Sequence, residues 1–321
     1  MSTIPIQNHF KHASRMIFGA MQIASASDAQ GIEKADVKRT HMLLEHCLSV
    51  GINVIDLADI YGLGKAEALI GKVFKQNPKL RERFVVQSKV GIRLTPSVDI
   101  KHYDLSPGYV TRSLYASLER LNIDYLDILF LHRPDPLMEV KPLCEALHNL
   151  HQQDTFDFLA VSNMHAGQMA LIQSNTDIPV IANQLQMSLA HHGFIEDAIT
   201  TNMPANSQHG FPRGTLEYCM QQDIQLQAWG AMAQGQFCDL EARDPNIRAT
   251  AALINTIAEE LDCHANAIVL AWLMKHPAGI APLIGTTQCE RITQASQAMY
   301  VNLSNQQWYE ILQTRRGQEV P

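Results

Sequence analysis

The sequence predicts an α/β fold, a (β/α)8 TIM barrel, on three observations. Eight short apolar runs rich in β-branched residues recur along the chain, longer stretches of helical spacing separate them, and no glycine-rich nucleotide turn follows the first run. Strands that alternate with helices pair in parallel through right-handed crossovers, and eight such units imply closure. An open doubly wound sheet is the competing architecture. It would carry G-x-G-x-x-G after its first nucleotide-binding strand, where this chain has AMQIASASD.

The elements follow in order. A first strand is expected at 16–19. In 36–50, Val37, Leu44 and Leu48 share one helical face, Leu43 and Cys47 lie beside it, and Gly51 stands where a helix-terminating glycine belongs. Strands at 53–57 and 84–89 come next. A helical segment at 111–121 precedes the strand at 126–132, and further strands are expected at 158–162, 180–185 and 225–229. A helix at 249–261 leads to the last strand, 281–284. The polar stretch 190–212 reads as a loop over one end. With no low-complexity linker and no repeat beyond this rhythm, residues 1–321 are expected to form a single domain.

Composition narrows the function classes. The 321 residues are 46% hydrophobic, enough for a sizeable core, and the formal charge is 25 − 32 = −7. No block of Lys and Arg offers a footprint for nucleic acid or an anionic membrane surface, so a small-molecule partner is expected. The six cysteines (Cys47, Cys144, Cys219, Cys238, Cys263 and Cys289) form no C-x-x-C pair, which argues against a zinc cage and a disulfide framework. His148 and His151, like the pair His191 and His192, read as exposed helix and loop histidines, so no metal is expected. The N-terminal MSTIPIQNHFKHASR has no signal-like apolar stretch, and no segment reaches the roughly 20 apolar residues of a membrane span. The expected location is the cytoplasm. Nothing in the sequence sets an oligomeric state.

In a barrel of this kind the chemistry lies at the C-terminal ends of the strands. Four strand ends carry polar residues that an apolar core would not select: Asp56, Lys89, His132 and the Ser162–Asn163 pair. Tyr61 follows the second strand closely. A buried lysine beside a phenol favours phenolate, and a carboxylate beside that lysine keeps it charged despite desolvation, making Tyr61 a usable proton donor. An imidazole on a neighbouring strand can orient the same oxygen and stabilise charge developing on a carbonyl.

This set resembles the aldo-keto reductase superfamily over nearly the whole chain. The motif D-x-A-x-x-Y-G stands here as Asp56-Leu57-Ala58-Asp59-Ile60-Tyr61-Gly62, followed by Lys89 on the third strand and His132 on the fourth. The segments HRPDP and QAWG and the tail QQWYEILQTRRGQEVP are similar to a bacterial branch of short-loop oxidoreductases. The resemblance implies a catalytic tetrad of Asp56, Tyr61, Lys89 and His132, with Tyr61 as general acid in carbonyl reduction by a nicotinamide cofactor. Asp59 has no matching role and is expected to be a solvated loop carboxylate or a helix cap.

By the same resemblance, Ser162, Asn163 and Gln184 hold the nicotinamide carboxamide and Trp229 stacks on the nicotinamide ring. The segment GAMAQGQF, with Gly230, Met232 and Gly235, lies along the pyrophosphate. Gly285, Thr286, Gln288 and Arg291 in GTTQCER surround the adenosine 2′-phosphate. A basic residue common near Gln288 is absent, and Ala295 stands where much of the superfamily has an adenine-contacting Asn. NADP is therefore expected, with NADPH preferred over NADH by a moderate margin. The implied function is NADP-dependent reduction of an aldehyde or ketone to an alcohol. The alternative is a cofactor-sensing regulatory subunit resembling potassium-channel β subunits. The substrate would be selected by loops at 22–34, 93–107 and 190–212.

Overall fold

A computed structural model describes residues 3–24, 31–94, 98–203 and 210–321. The strands in chain order are β1 (Ile17–Gly19), β2 (Val54–Asp56), β3 (Val85–Val90), β4 (Ile92–Arg93), β5 (His102–Tyr103), β6 (Leu126–Leu131), β7 (Phe156–Ser162), β8 (Val180–Gln186), β9 (Gln225–Trp229) and β10 (Ala281–Ile284). Eight of them close a parallel barrel in the order β1-β10-β9-β8-β7-β6-β3-β2, while β4 and β5 form a separate two-stranded antiparallel ribbon. Each expected strand is present with ends shifted by at most two residues. The ribbon was not expected, being only two residues per strand.

The barrel interior is apolar at its lower end and polar at its upper end. Ile17, Val54, Val85, Ile128, Phe130, Ala182 and Leu283 pack inside with Ile4 and Ile6 from the N-terminal segment. Ile6 N–H donates to Gln225 Oε1 at 3.2 Å, which pins that segment to the start of β9. Outside the strands, a second and larger core fills the space beneath the helices.

The helix expected at 36–50 is Lys34–Ser49, and Gly51 beyond it takes φ +79°, the left-handed value that ends helices. The segments 111–121 and 249–261 lie in longer helices, Pro107–Leu121 and Pro245–Glu260, each with a proline in its first turn. At Gly71 in the helix Lys65–Gln76, a Cβ would stand 2.0 Å from Arg120 O and 2.8 Å from Leu121 Cα. Only glycine lets the two helices approach so closely. That approach seats buried Glu67 against Arg120 at 2.7 Å, with Ser88 Oγ donating to its other oxygen at 2.6 Å.

One expectation fails in the polar stretch 190–212, where Gly193–Ile199 is helical rather than loop. Phe194 is buried against Trp272, and Glu196 pairs with Arg316 at 2.6 Å, so tertiary contacts hold a helix that local composition does not announce. The C-terminal helix Asn305–Arg316 is itself docked by stacked Trp272 and Trp308, with ring centroids 5.2 Å apart. Each indole N–H of that pair donates to the other's backbone carbonyl. None of the described helices is long and apolar enough to cross a membrane.

Candidate active site

Strand register builds the site. Asp56 and Gln87 are partners across β2 and β3, and Gln184 and Gln227 are partners across β8 and β9. Their side chains meet in the upper barrel. Gln87 Nε2 donates to Asp56 Oδ1 at 2.6 Å and to Gln227 Oε1 at 2.8 Å. Gln184 Nε2 donates to the same two oxygens at 2.8 and 3.0 Å, and Gln227 Nε2 returns a bond to Gln87 Oε1 at 2.9 Å. Two amide donors on Oδ1 fix the carboxylate plane and turn its other oxygen toward Lys89.

Lys89 is fully buried, and its ammonium has three partners for three protons. It donates to Asp56 Oδ2 at 2.6 Å, to the Leu57 carbonyl at 2.8 Å and to Tyr61 OH at 3.0 Å. Burial alone would lower the Lys89 pKa, but the Asp56 carboxylate and Tyr61 together carry it above its ordinary value. Tyr61 responds differently from the expected phenolate. Burial, aided by the Asp56 charge, holds its pKa above the ordinary value against the opposing pull of Lys89. The phenol thus keeps its proton. Because the oxygen already accepts from Lys89, the O–H bond is left to point elsewhere.

His132 lies just beyond β6, its backbone N–H donating to Val90 O at 2.9 Å. Its ring stands edge-on to Tyr61 with centroids 6.2 Å apart. Burial first, then the charges of Lys89, Arg133 and Lys101, push its pKa well below the ordinary value, so the imidazole is neutral. Nδ1 is buried without a hydrogen-bond partner. A bare acceptor there costs less than an orphaned N–H, which favours the tautomer that carries its proton on Nε2. The four tetrad positions are therefore adjacent.

Asp59 is not a solvated carboxylate. The turn after β2 folds inward, Asp59 N–H donating to Lys89 O at 3.0 Å, and Asp59 Oδ1 is buried without a partner. Burial, with the nearby Glu67 charge, raises its pKa from 3.8 to about 8. The folded state therefore holds this proton more tightly than the unfolded chain does. Stability from the neutral acid is complete below the ordinary pKa and is lost as pH rises toward about 8. Asp59→Asn, neutral throughout, is expected to flatten that loss. Urea midpoints measured across the interval would show equal slopes in both proteins if the carboxyl were solvated.

The residues expected to hold the nicotinamide end also come together. Ser162 Oγ and Asn163 N–H both donate to Gln184 O at 3.0 Å, and Asn163 Nδ2 donates to Ser162 Oγ at 2.7 Å. Trp229 Nε1 donates to Asn163 Oδ1 at 3.1 Å, which fixes the indole plane. Gln184 differs from expectation in one respect: its amide nitrogen is committed to Asp56 and Gln227, so only its carbonyl oxygen is left to accept from a carboxamide.

Beyond Trp229 the chain turns through Gly230 at φ +67°, and Ala233, Gln234 and Gly235 hold positive φ in succession. Met232 is half-buried between them. Such backbone is costly for the two non-glycine residues and is a common mark of ligand-binding loops. Cβ atoms added at Gly235 or Gly285 would meet nothing within 4 Å, so the space beside both loops is open. Thr286 Oγ1 accepts from Gln288 N–H at 3.2 Å, positioning Gln288 as N-cap of the helix Cys289–Ser296. That helix has no side-chain cap, and Arg291 is exposed in its first turn. Ala295, one turn further along the same side of that helix, is buried.

Sequence reasoning missed Gln87 and Gln227. Both were visible as amides inside otherwise apolar runs, FVVQSKVG and QLQAWG. Of the loops expected to select substrate, residues 25–30, 95–97 and 204–209 lie outside the described residues.

Comparison with known proteins agrees with the fold. The model of the aldo/keto reductase family matches residues 15–315. A 6-dehydroglucose reductase of Agrobacterium fabrum is 32% identical over 314 residues, covering 96% of each chain. Oxidoreductase YdhF of Escherichia coli is 32% identical over 281 residues, 87% of this chain and 88% of its own. Among solved structures, an aldo-keto reductase of Klebsiella pneumoniae in complex with NADPH superposes with a TM-score of 0.72 at 23% identity, covering 96% of this chain and 92% of that one.

Proposed function

The chain belongs to the aldo/keto reductase family, and from that membership we propose that it reduces an aldehyde or ketone to an alcohol with NADPH, Tyr61 supplying the proton. The observation that carries the reading is the hydrogen bond from Lys89 Nζ to Tyr61 OH at 3.0 Å, with Lys89 itself anchored on Asp56 at 2.6 Å. The nicotinamide, when bound, supplies the hydride. Tyr61 gives its proton to the carbonyl oxygen, and the Lys89 ammonium stabilises the phenolate that remains. Neutral His132 donates from Nε2 to the same oxygen and cannot compete as a proton source. Asp56, fixed by Gln87 and Gln184, keeps Lys89 charged despite its full burial.

The residues present suit the cofactor. Ser162, Asn163 and the free carbonyl of Gln184 offer both donor and acceptor groups to a carboxamide, and Trp229 offers a flat face. The uncapped helix N-terminus and Arg291 suit a phosphate. A guanidinium meets phosphate oxygens with parallel hydrogen bonds, whereas Gln288 is uncharged, so the margin for NADPH over NADH should be moderate. Arg291→Ala is expected to weaken NADPH by about tenfold or more, the scale of one hydrogen bond to a charged group, and NADH much less. Parallel fluorescence titrations with both cofactors decide it. An equal loss for the two would place Arg291 on the shared part of the dinucleotide.

The activity itself is tested by following NADPH consumption against aldehydes, ketones and quinones, beside NADH. Multiple turnovers on any of them support an enzyme. A single slow oxidation of bound NADPH with no turnover would favour the regulatory alternative.

A further inference from the structure

We infer that Arg133 recognises an anionic group, a carboxylate or a phosphate, on the carbonyl substrate at a point remote from the carbon that is reduced; the inference rests on the carbonyl-reductase reading above. Arg133 directly follows His132 at the C-terminal end of the barrel, and its guanidinium carbon lies 5.8 Å from the centroid of the Trp229 ring. The residue is half-buried. Among the described residues it makes no hydrogen bond and no ion pair.

The acids nearby in sequence and in the adjoining loop are engaged elsewhere. Asp135 accepts from Leu105 N–H and Leu137 N–H, each at 2.9 Å, and Asp104 pairs with Arg93 at 3.1 Å. Asp56 is taken by Lys89. A half-sequestered cation without a counter-charge is unfavourable unless a ligand supplies one. Arg133 and Lys101 both act on His132, so positive charge converges on the pocket of a chain whose net charge is −7. The guanidinium stands over the Trp229 ring, and its donor edge has no hydrogen-bond partner among the described residues. That edge carries the N–H donors that grip a carboxylate or phosphate in parallel, a geometry a lysine does not reproduce.

The test compares 4-carboxybenzaldehyde with 4-nitrobenzaldehyde, similar in shape but different in charge. The ratio of their kcat/KM values is measured with NADPH saturating for wild type, Arg133→Gln and Arg133→Lys. The ratio should fall by about tenfold or more in Arg133→Gln, recover in part in Arg133→Lys, and decline for wild type as salt rises. A ratio unchanged by Arg133→Gln would overturn the inference, as would an equal loss for both aldehydes together with weaker NADPH binding. Calorimetric titration of 4-carboxybenzyl alcohol into the NADP complex reads the same contact without turnover. Loss of that binding in Arg133→Gln supports the subsite even if neither aldehyde is reduced, which would count against the reductase reading alone; equal binding by both proteins overturns it.

Discussion

Tyr61→Phe is expected to lower turnover by about 10²–10⁴-fold, the usual worth of a positioned general acid, while leaving NADPH affinity close to that of the wild type. The phenol oxygen is the only atom removed, and it lies at the end of the chain Asp56–Lys89–Tyr61 rather than among the groups around Trp229. Lys89 keeps two of its three acceptors, Asp56 and the Leu57 carbonyl. The variant should therefore fold. Steady-state rates beside a cofactor titration separate the outcomes, and near-normal turnover by a folded Tyr61→Phe protein would remove Tyr61 from the mechanism.

A comparably large effect, this time on stability, is expected for Asp56→Asn. The Asp56–Lys89 pair is wholly inside the protein, with side-chain exposures of 2% and 0%. Removing one partner of a buried pair leaves the other charge uncompensated and typically costs about 3–5 kcal/mol. Asn keeps an oxygen for Gln87 and Gln184, so the loss should come chiefly from the Lys89 ammonium. Adding Lys89→Met removes that charge, and the double variant should regain much of the stability without regaining activity. Urea unfolding of Asp56→Asn, Lys89→Met and the double variant measures the coupling. Additive losses would show that the two charges do not depend on one another.

The fold was legible because barrel strands are short apolar runs whose burial on both faces leaves a plain mark, and the runs ending at Trp229 and Ile284 were read to the residue. Tertiary contacts were not legible in the same way. The helix Gly193–Ile199 depends on Phe194 reaching Trp272 and Glu196 reaching Arg316, partners far along the chain. Asp59 looked like an ordinary loop acid because nothing local shows that its backbone bonds to Lys89 and carries it inward.

The tetrad stood out in sequence because its members lie at strand ends in a recognisable order. Its support did not, since the bonds between Gln87 and Gln227 join residues separated by 140 positions. The charge balance at Tyr61 needed the structure as well. Sequence shows that a lysine and an aspartate accompany the phenol, but whether burial or the ammonium prevails depends on how closely the pocket excludes water.

The central claim is direct hydride transfer to a carbonyl carbon with Tyr61 as the acid. It is tested most directly by incubating the protein with an aldehyde and NADPH deuterated at both C4 positions, then analysing the product by mass spectrometry and NMR. The account predicts one deuterium at the former carbonyl carbon of the alcohol, formed in quantity by the wild type and at a small fraction of that rate by Tyr61→Phe. An alcohol without deuterium at that carbon, or equal rates from the two proteins, would contradict it.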